Sequence, residues 1–117
     1  MTVDPVDDLP YIALDNYAVY KLATIGGSTW NLISGISAID VAAGLGGVFA
    51  WVSNEFASAT NTADYKIYMR ITSAGVTQTY LIGLGVRVDV YDSQNAIYTN
   101  SFGEAFIIDP ANVSLGV

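Results

Sequence analysis

Carboxylates are the abundant ionisable groups of this 117-residue chain, which carries 11 Asp and Glu against 4 Lys and Arg and has neither His nor Cys. Two acidic pairs stand close in sequence, Asp7 with Asp8 and Asp89 with Asp92. Glycoside hydrolysis needs two carboxyl groups across a cleft, one with a raised pKa. The pattern instead puts Asp89 on the outward side of a strand and lets Asp92 open a turn, so structural roles account for both. Without His the commonest neutral-pH acid/base and transition-metal ligand is missing, and without Cys so are thiolate chemistry and disulfides. A serine nucleophile would have to use Lys21 or Lys66 as its base, and neither stands in a matching serine motif. Hard oxygen ligands cluster in Asp89–Asn95, but this stretch lacks the loop glycine and the closing glutamate of a calcium-binding EF-hand. The same residues are good formers of a hairpin turn. Gly44-Leu45-Gly46-Gly47 and Gly83-Leu84-Gly85 do not complete a phosphate-binding pattern, and no Lys-Ser/Thr or clear helix follows either. They fit bends and bulges better. Asn112-Val113-Ser114 matches a glycosylation acceptor in form, but no secretory signal accompanies it.

The aromatic residues carry more information. Eight Tyr, two Trp and four Phe are present. Exposed aromatics stack on sugars or anchor protein interfaces, whereas buried ones support sheets through cross-strand pairs. Tyr68, Tyr91 and Tyr98 are candidates for an outward face, and Trp30 and Trp51 for the core.

The elements that would position these groups are strands. Tyr17–Ile25 alternates in the period of a strand and runs into the turn Gly26-Gly27-Ser28. Thr29–Ile33 is a short strand broken by Ser34-Gly35, and Ile36–Val41 another. Val48–Ser53 is apolar on both faces, as a fully buried strand would be. Tyr65–Thr72 and Val76–Ile82 form a hairpin about Ser73-Ala74-Gly75. Val86–Tyr91 alternates most cleanly, Ala96–Phe102 returns beside it, and Ala105–Ile108 is a last strand. Met1–Pro10, with two prolines and three acids, is expected to form an extended arm, and residues 11–117 one domain. About eight short strands at this turn spacing predict an all-β fold, a single antiparallel β-sandwich that is jelly-roll-like.

Composition narrows the function classes. Four basic residues cannot form the stripe that phosphate backbones or anionic lipid require, so neither nucleic acid nor membrane is an expected partner. Hydrophobic residues reach 52% while charged ones stop at 13%, about half the usual charged share. Such a chain folds, and part of its surface suits permanent contact with other chains. The acidic start is the reverse of a signal peptide.

The Met1–Pro10 arm, the hairpin Tyr65–Ile82 and the hairpin Val86–Phe102 together resemble, in style, the small β-sandwich or jelly-roll accessory proteins of tailed bacteriophage virions. These include capsid decoration, cement and small tail components. The resemblance implies a structural protein of the virion and not an enzyme. It would act as a dimer or trimer on major capsid or other virion proteins, without cofactor or metal. Asp4 and Pro5 of the arm, with Tyr11, Tyr68, Tyr91 and Tyr98, are the expected interface residues. The alternative is a carbohydrate-binding or adhesin-type sandwich, which would present exposed aromatics. A carboxylate-only enzyme would need two acids in one cleft.

Overall fold

The chain is all-β in a computed structural model that describes residues 1–44, 48–90 and 95–108. Its strands are β1 (Thr2–Val3), β2 (Pro10–Ala13), β3 (Ala18–Leu22), β4 (Trp30–Ala43), β5 (Phe49–Phe56), β6 (Tyr65–Ser73), β7 (Val76–Gly85), β8 (Arg87–Val90), β9 (Ala96–Thr99) and β10 (Ala105–Ile108). β1 to β7 form a seven-stranded sheet in which each strand lies beside its sequence neighbour, and β8 to β10 form a three-stranded sheet. All the pairings are antiparallel.

Among the described residues the strands number ten rather than about eight. Thr2–Val3, within the stretch expected to be an arm, pairs with Pro10–Tyr11 at its end. Proline is tolerated at the first position of a strand, so Pro10 does not prevent β2 from forming. In the opposite sense, the two strands expected either side of Ser34-Gly35 are one strand of 14 residues. Gly35 adopts a φ of +81°, which glycine accepts without steric cost. It therefore bends β4 without ending it.

That bend divides the labour of β4. Its first half, Trp30–Ser37, pairs with β3, and its second half, Ala38–Ala43, pairs with β5. The register shifts on both sides, between Ala18 and Tyr20 on β3 and between Ala38 and Asp40 on β4 itself. Bulges of this kind increase local twist and turn corners in sheets.

β5 is the centre of the molecule. Val48 through Ser53 are all buried, as the two-sided apolar run predicts. On one side Val48, Ala50 and Val52 join Ile67, Met69 and Ile82 against Val88, Ala96 and Tyr98 of the small sheet. On the other, Phe49 and Trp51 pack with Val19, Ile36, Ala38 and Val41, and with Tyr11 and Ala13 at the margin.

Two carboxylates clip the small sheet to the large one. Asp40, at the β4 bulge, accepts a hydrogen bond from the Val88 backbone N–H at 3.0 Å. The buried Asp64 accepts from the Ser101 N–H at 2.7 Å, the Ser101 hydroxyl at 3.1 Å and the Asn61 amide at 3.2 Å. Burial alone would raise the Asp64 pKa, but these donors outweigh it and hold the carboxyl below its ordinary value.

Asp64→Ala leaves two Ser101 donors facing an apolar gap, and the expected loss is about 1–3 kcal/mol in urea unfolding. A carboxyl with a lowered folded-state pKa stabilises above its unfolded value of 3.8 and loses that contribution as pH falls through the folded value. Asp64→Asn is therefore expected to flatten the acid limb of a stability profile measured below pH 3.8. The β6–β7 turn offers a gain. Ala74 and Gly75 have φ of 53° and 79°, as a type I′ turn requires, and Asn is favoured over Ala at the first of these positions. Ala74→Asn is expected to add about 0.5–1 kcal/mol, read as a higher Tm.

Candidate functional site

The bend in β4 leaves the Phe49–Trp51 side of the sheet only partly covered. β2 and β3 fold over Phe49, where the Tyr11 ring lies 4.6 Å away. Farther along, Trp51, Tyr68 and Arg70 line an open cleft of about 380 Å³ together with Gly35, Ser37, Ser53, Asn54, Glu55 and Thr79. Gly35 and Ser37 come from the bend. Ser53, Asn54 and Glu55 come from a second irregularity, where the β5–β6 register shifts between Val52 and Phe56. Arg70 and Thr79 are cross-strand partners on β6 and β7. Bulges commonly re-aim side chains beside functional sites.

Inside the cleft the polar groups are held in place. The rings of Trp51 and Tyr68 are 5.6 Å apart. The Arg70 guanidinium lies over the Trp51 ring, 5.4 Å from its centroid, a favourable placement for a cation on an aromatic face. The Tyr68 hydroxyl donates to Glu55 Oε2 at 2.9 Å. Burial, and then the bond to the Glu55 carboxylate, push the Tyr68 phenol up from 10.0 to about 12. Ser53 is buried and its hydroxyl accepts from the Glu55 N–H, which fixes the backbone that carries the carboxylate.

A second surface lies on the outer side of β2, β3 and β4. Ile12, Tyr20 and Leu32 stand opposite one another across the three strands, with Leu22 and Trp30 as the next cross-strand pair. None of the five is charged, and Leu32 and Trp30 are 58% and 37% exposed. The polar groups lie on the reverse side, where Tyr11, Lys21 and Asn31 are in register. Lys21 there binds Asp4 at 3.1 Å and Asp7 at 2.7 Å and sits over the Tyr11 ring. Partial burial opposes its charge, yet the two carboxylates raise its pKa. The Lys21 hydrogen bond, followed by the Leu9 N–H, lowers that of Asp7.

The expected interface residues are therefore scattered. Asp4 is engaged with Lys21, Pro5 is exposed, and Tyr11 is half-buried against Phe49. Tyr68 is half-buried on the cleft. Tyr91 lies outside the described residues, as do Asp92 and most of the possible calcium stretch. Tyr98, expected to point outward, is 9% exposed. Its ring stacks on Phe106 and lies against Gly83, where any Cβ would collide with it. Trp51 is in the core as expected, while Trp30 is on the surface. Asp89 is exposed and accepts from the Val90 N–H. Among the described residues no group of three or more acidic side chains is placed to hold a metal ion. Arg70 and Glu55 were not singled out in the sequence, because they come from different strands, and only the pairing of β5 with β6 brings them to one cleft. No family model, curated protein or solved structure matches the chain.

The Tyr68–Glu55 bond has a spectroscopic signature. A phenol with a raised folded-state pKa stabilises the fold below the unfolded value of 10.0 and loses that contribution as pH rises through about 12. Burial raises the Tyr98 phenol as well, so ultraviolet titration of tyrosinate is expected to show late-titrating phenols at both positions, and Glu55→Gln to move the Tyr68 component alone back toward 10.0.

Proposed function

We propose that the chain is a structural, non-catalytic subunit of a repeated assembly, a virion protein that decorates or cements a bacteriophage capsid or tail. The supporting observation is the uncharged outer side of β2, β3 and β4. A contiguous apolar sheet face that a monomer leaves in water is characteristic of a contact surface. The occupant argued for is a second copy of the chain. Each copy carries a net charge of -7, so copies repel at long range. This face is a place where two can meet without setting like charges opposite each other. A two-fold contact is self-complementary, since the same patch serves both partners. Weak contacts repeated by symmetry on a shell then add through avidity. In fold terms the proposal takes the curled seven-stranded sheet and β8–β10 as the layers of a β-sandwich. The jelly-roll-like comparison rests on this layering, because the strand order is sequential.

Analytical ultracentrifugation at about 100 μM is expected to show a dimer. Raising the salt is expected to strengthen the association, because screening removes the long-range repulsion while an apolar contact is untouched. Leu32→Glu and Trp30→Asp, both at exposed positions, are expected to give monomers with an unchanged circular dichroism spectrum. A wild-type chain that stays monomeric at high salt overturns the proposal.

A further inference from the structure

We propose that the cleft formed by Trp51, Tyr68, Arg70 and Glu55 is a binding subsite for one uncharged sugar residue of a glycan. It is independent of the assembly surface: the cleft opens at the far half of the bent sheet and shares no residue with the Leu32 face.

The charge of the lining selects the ligand class. Arg70 and Glu55 are the two formally charged side chains of the cleft, and they cancel. A carboxylate or phosphate drawn to Arg70 would meet Glu55 and the field of a chain of net charge -7. A cation drawn to Glu55 would meet Arg70. A ligand that offers donors and acceptors side by side, without net charge, satisfies both. Vicinal hydroxyls have this property, since each donates to a carboxylate and accepts from a guanidinium.

The hydrogen-bonding capacity is present and unspent. Among the described residues the Arg70 guanidinium forms no ion pair; its contact is with the Trp51 face. Glu55 uses Oε2 for Tyr68, which leaves Oε1 available. Asn54, Ser37 and Thr79 add an amide and two hydroxyls to the same walls. Both charged groups are pre-oriented, one by the Trp51 ring and the other by the Tyr68 hydroxyl, so little ordering remains for a ligand to impose. A volume of about 380 Å³ falls in the range of small-ligand sites. The half-buried Tyr68 ring supplies apolar contact for C–H groups.

The test is an NMR amide-shift titration of the full chain with the methyl glycosides of glucose, galactose, mannose and N-acetylglucosamine, with sodium acetate as the anionic probe. At least one glycoside is expected to give saturable shifts at Ser53, Asn54, Glu55, Tyr68 and Arg70, with a Kd of roughly 1 mM. Glu55→Gln and Arg70→Gln are each expected to weaken it about tenfold or more, while Leu32→Glu leaves it unchanged and so separates the cleft from self-association. Glu55 is exposed, so its variant keeps the test open if Arg70→Gln fails to fold. No saturable shift with any of the four glycosides up to about 50 mM overturns the proposal, and so does tighter binding of acetate.

Discussion

Strand β5 is apolar on both sides, and that double demand for cover organises the molecule. A strand in an ordinary antiparallel sheet needs one protected face. Val48–Ser53 needs two. The small sheet supplies one through Val88, Ala96 and Tyr98, and the turned-back strands β2 and β3 supply the other. Both cannot be neighbours of β5 in a flat sheet, so β4 has to belong to two directions at once. Gly35 and the register shifts around it provide the bend. The cleft is what remains where the returning strands stop short, and the outer apolar face is the back of those same strands. Core, cleft and contact surface thus descend from one requirement.

The scarcity of charge takes on a clearer meaning in this frame. Several of the acids are fasteners: Asp4 and Asp7 hold Lys21, Asp40 receives the Val88 N–H, and Asp64 gathers three donors from two loops. A buried carboxylate surrounded by donors is stable where an unpaired one would be costly. Asp40 and Asp64 tie the β8–β10 region to the large sheet, where side-chain hydrogen bonds have to do what a continuous ladder does elsewhere.

Much of this was legible in the residues. The hairpin of β6 and β7 was, because alternation and a two-residue turn coincide there. So was β5, because an unbroken apolar run bounded by polar residues has few other uses. β4 was not, since a glycine within a run of serines looks the same whether the chain stops or bends. β1 and β2 were hidden by Pro5 and Pro10, whose missing N–H groups argue against a ladder without excluding its margin. The side of Tyr98 was not legible either, since Ala96–Thr99 places Ala96 and Tyr98 on one face and Ile97 on the other, and alternation alone does not say which turns inward. Its inward ring fills the space that a side chain at Gly83, on another strand, would occupy. The cleft shares that difficulty. Arg70 and Trp51 meet through register, and register is a property of pairs of strands that no single segment displays.

The sequential order of β1 to β7 also governs how the chain reaches its structure. Each of these strands pairs with one already adjacent in the sequence, so every closure step involves a short loop and a small loss of chain entropy. Assembly can proceed as the lengthening of a meander from the tight β6–β7 hairpin, with local contacts formed first. The exception is the three-stranded sheet, whose Val88 and Ser101 must find carboxylates at Asp40 and Asp64, 48 and 37 residues away. Docking that unit is the long-range event of the fold, where the largest loops close.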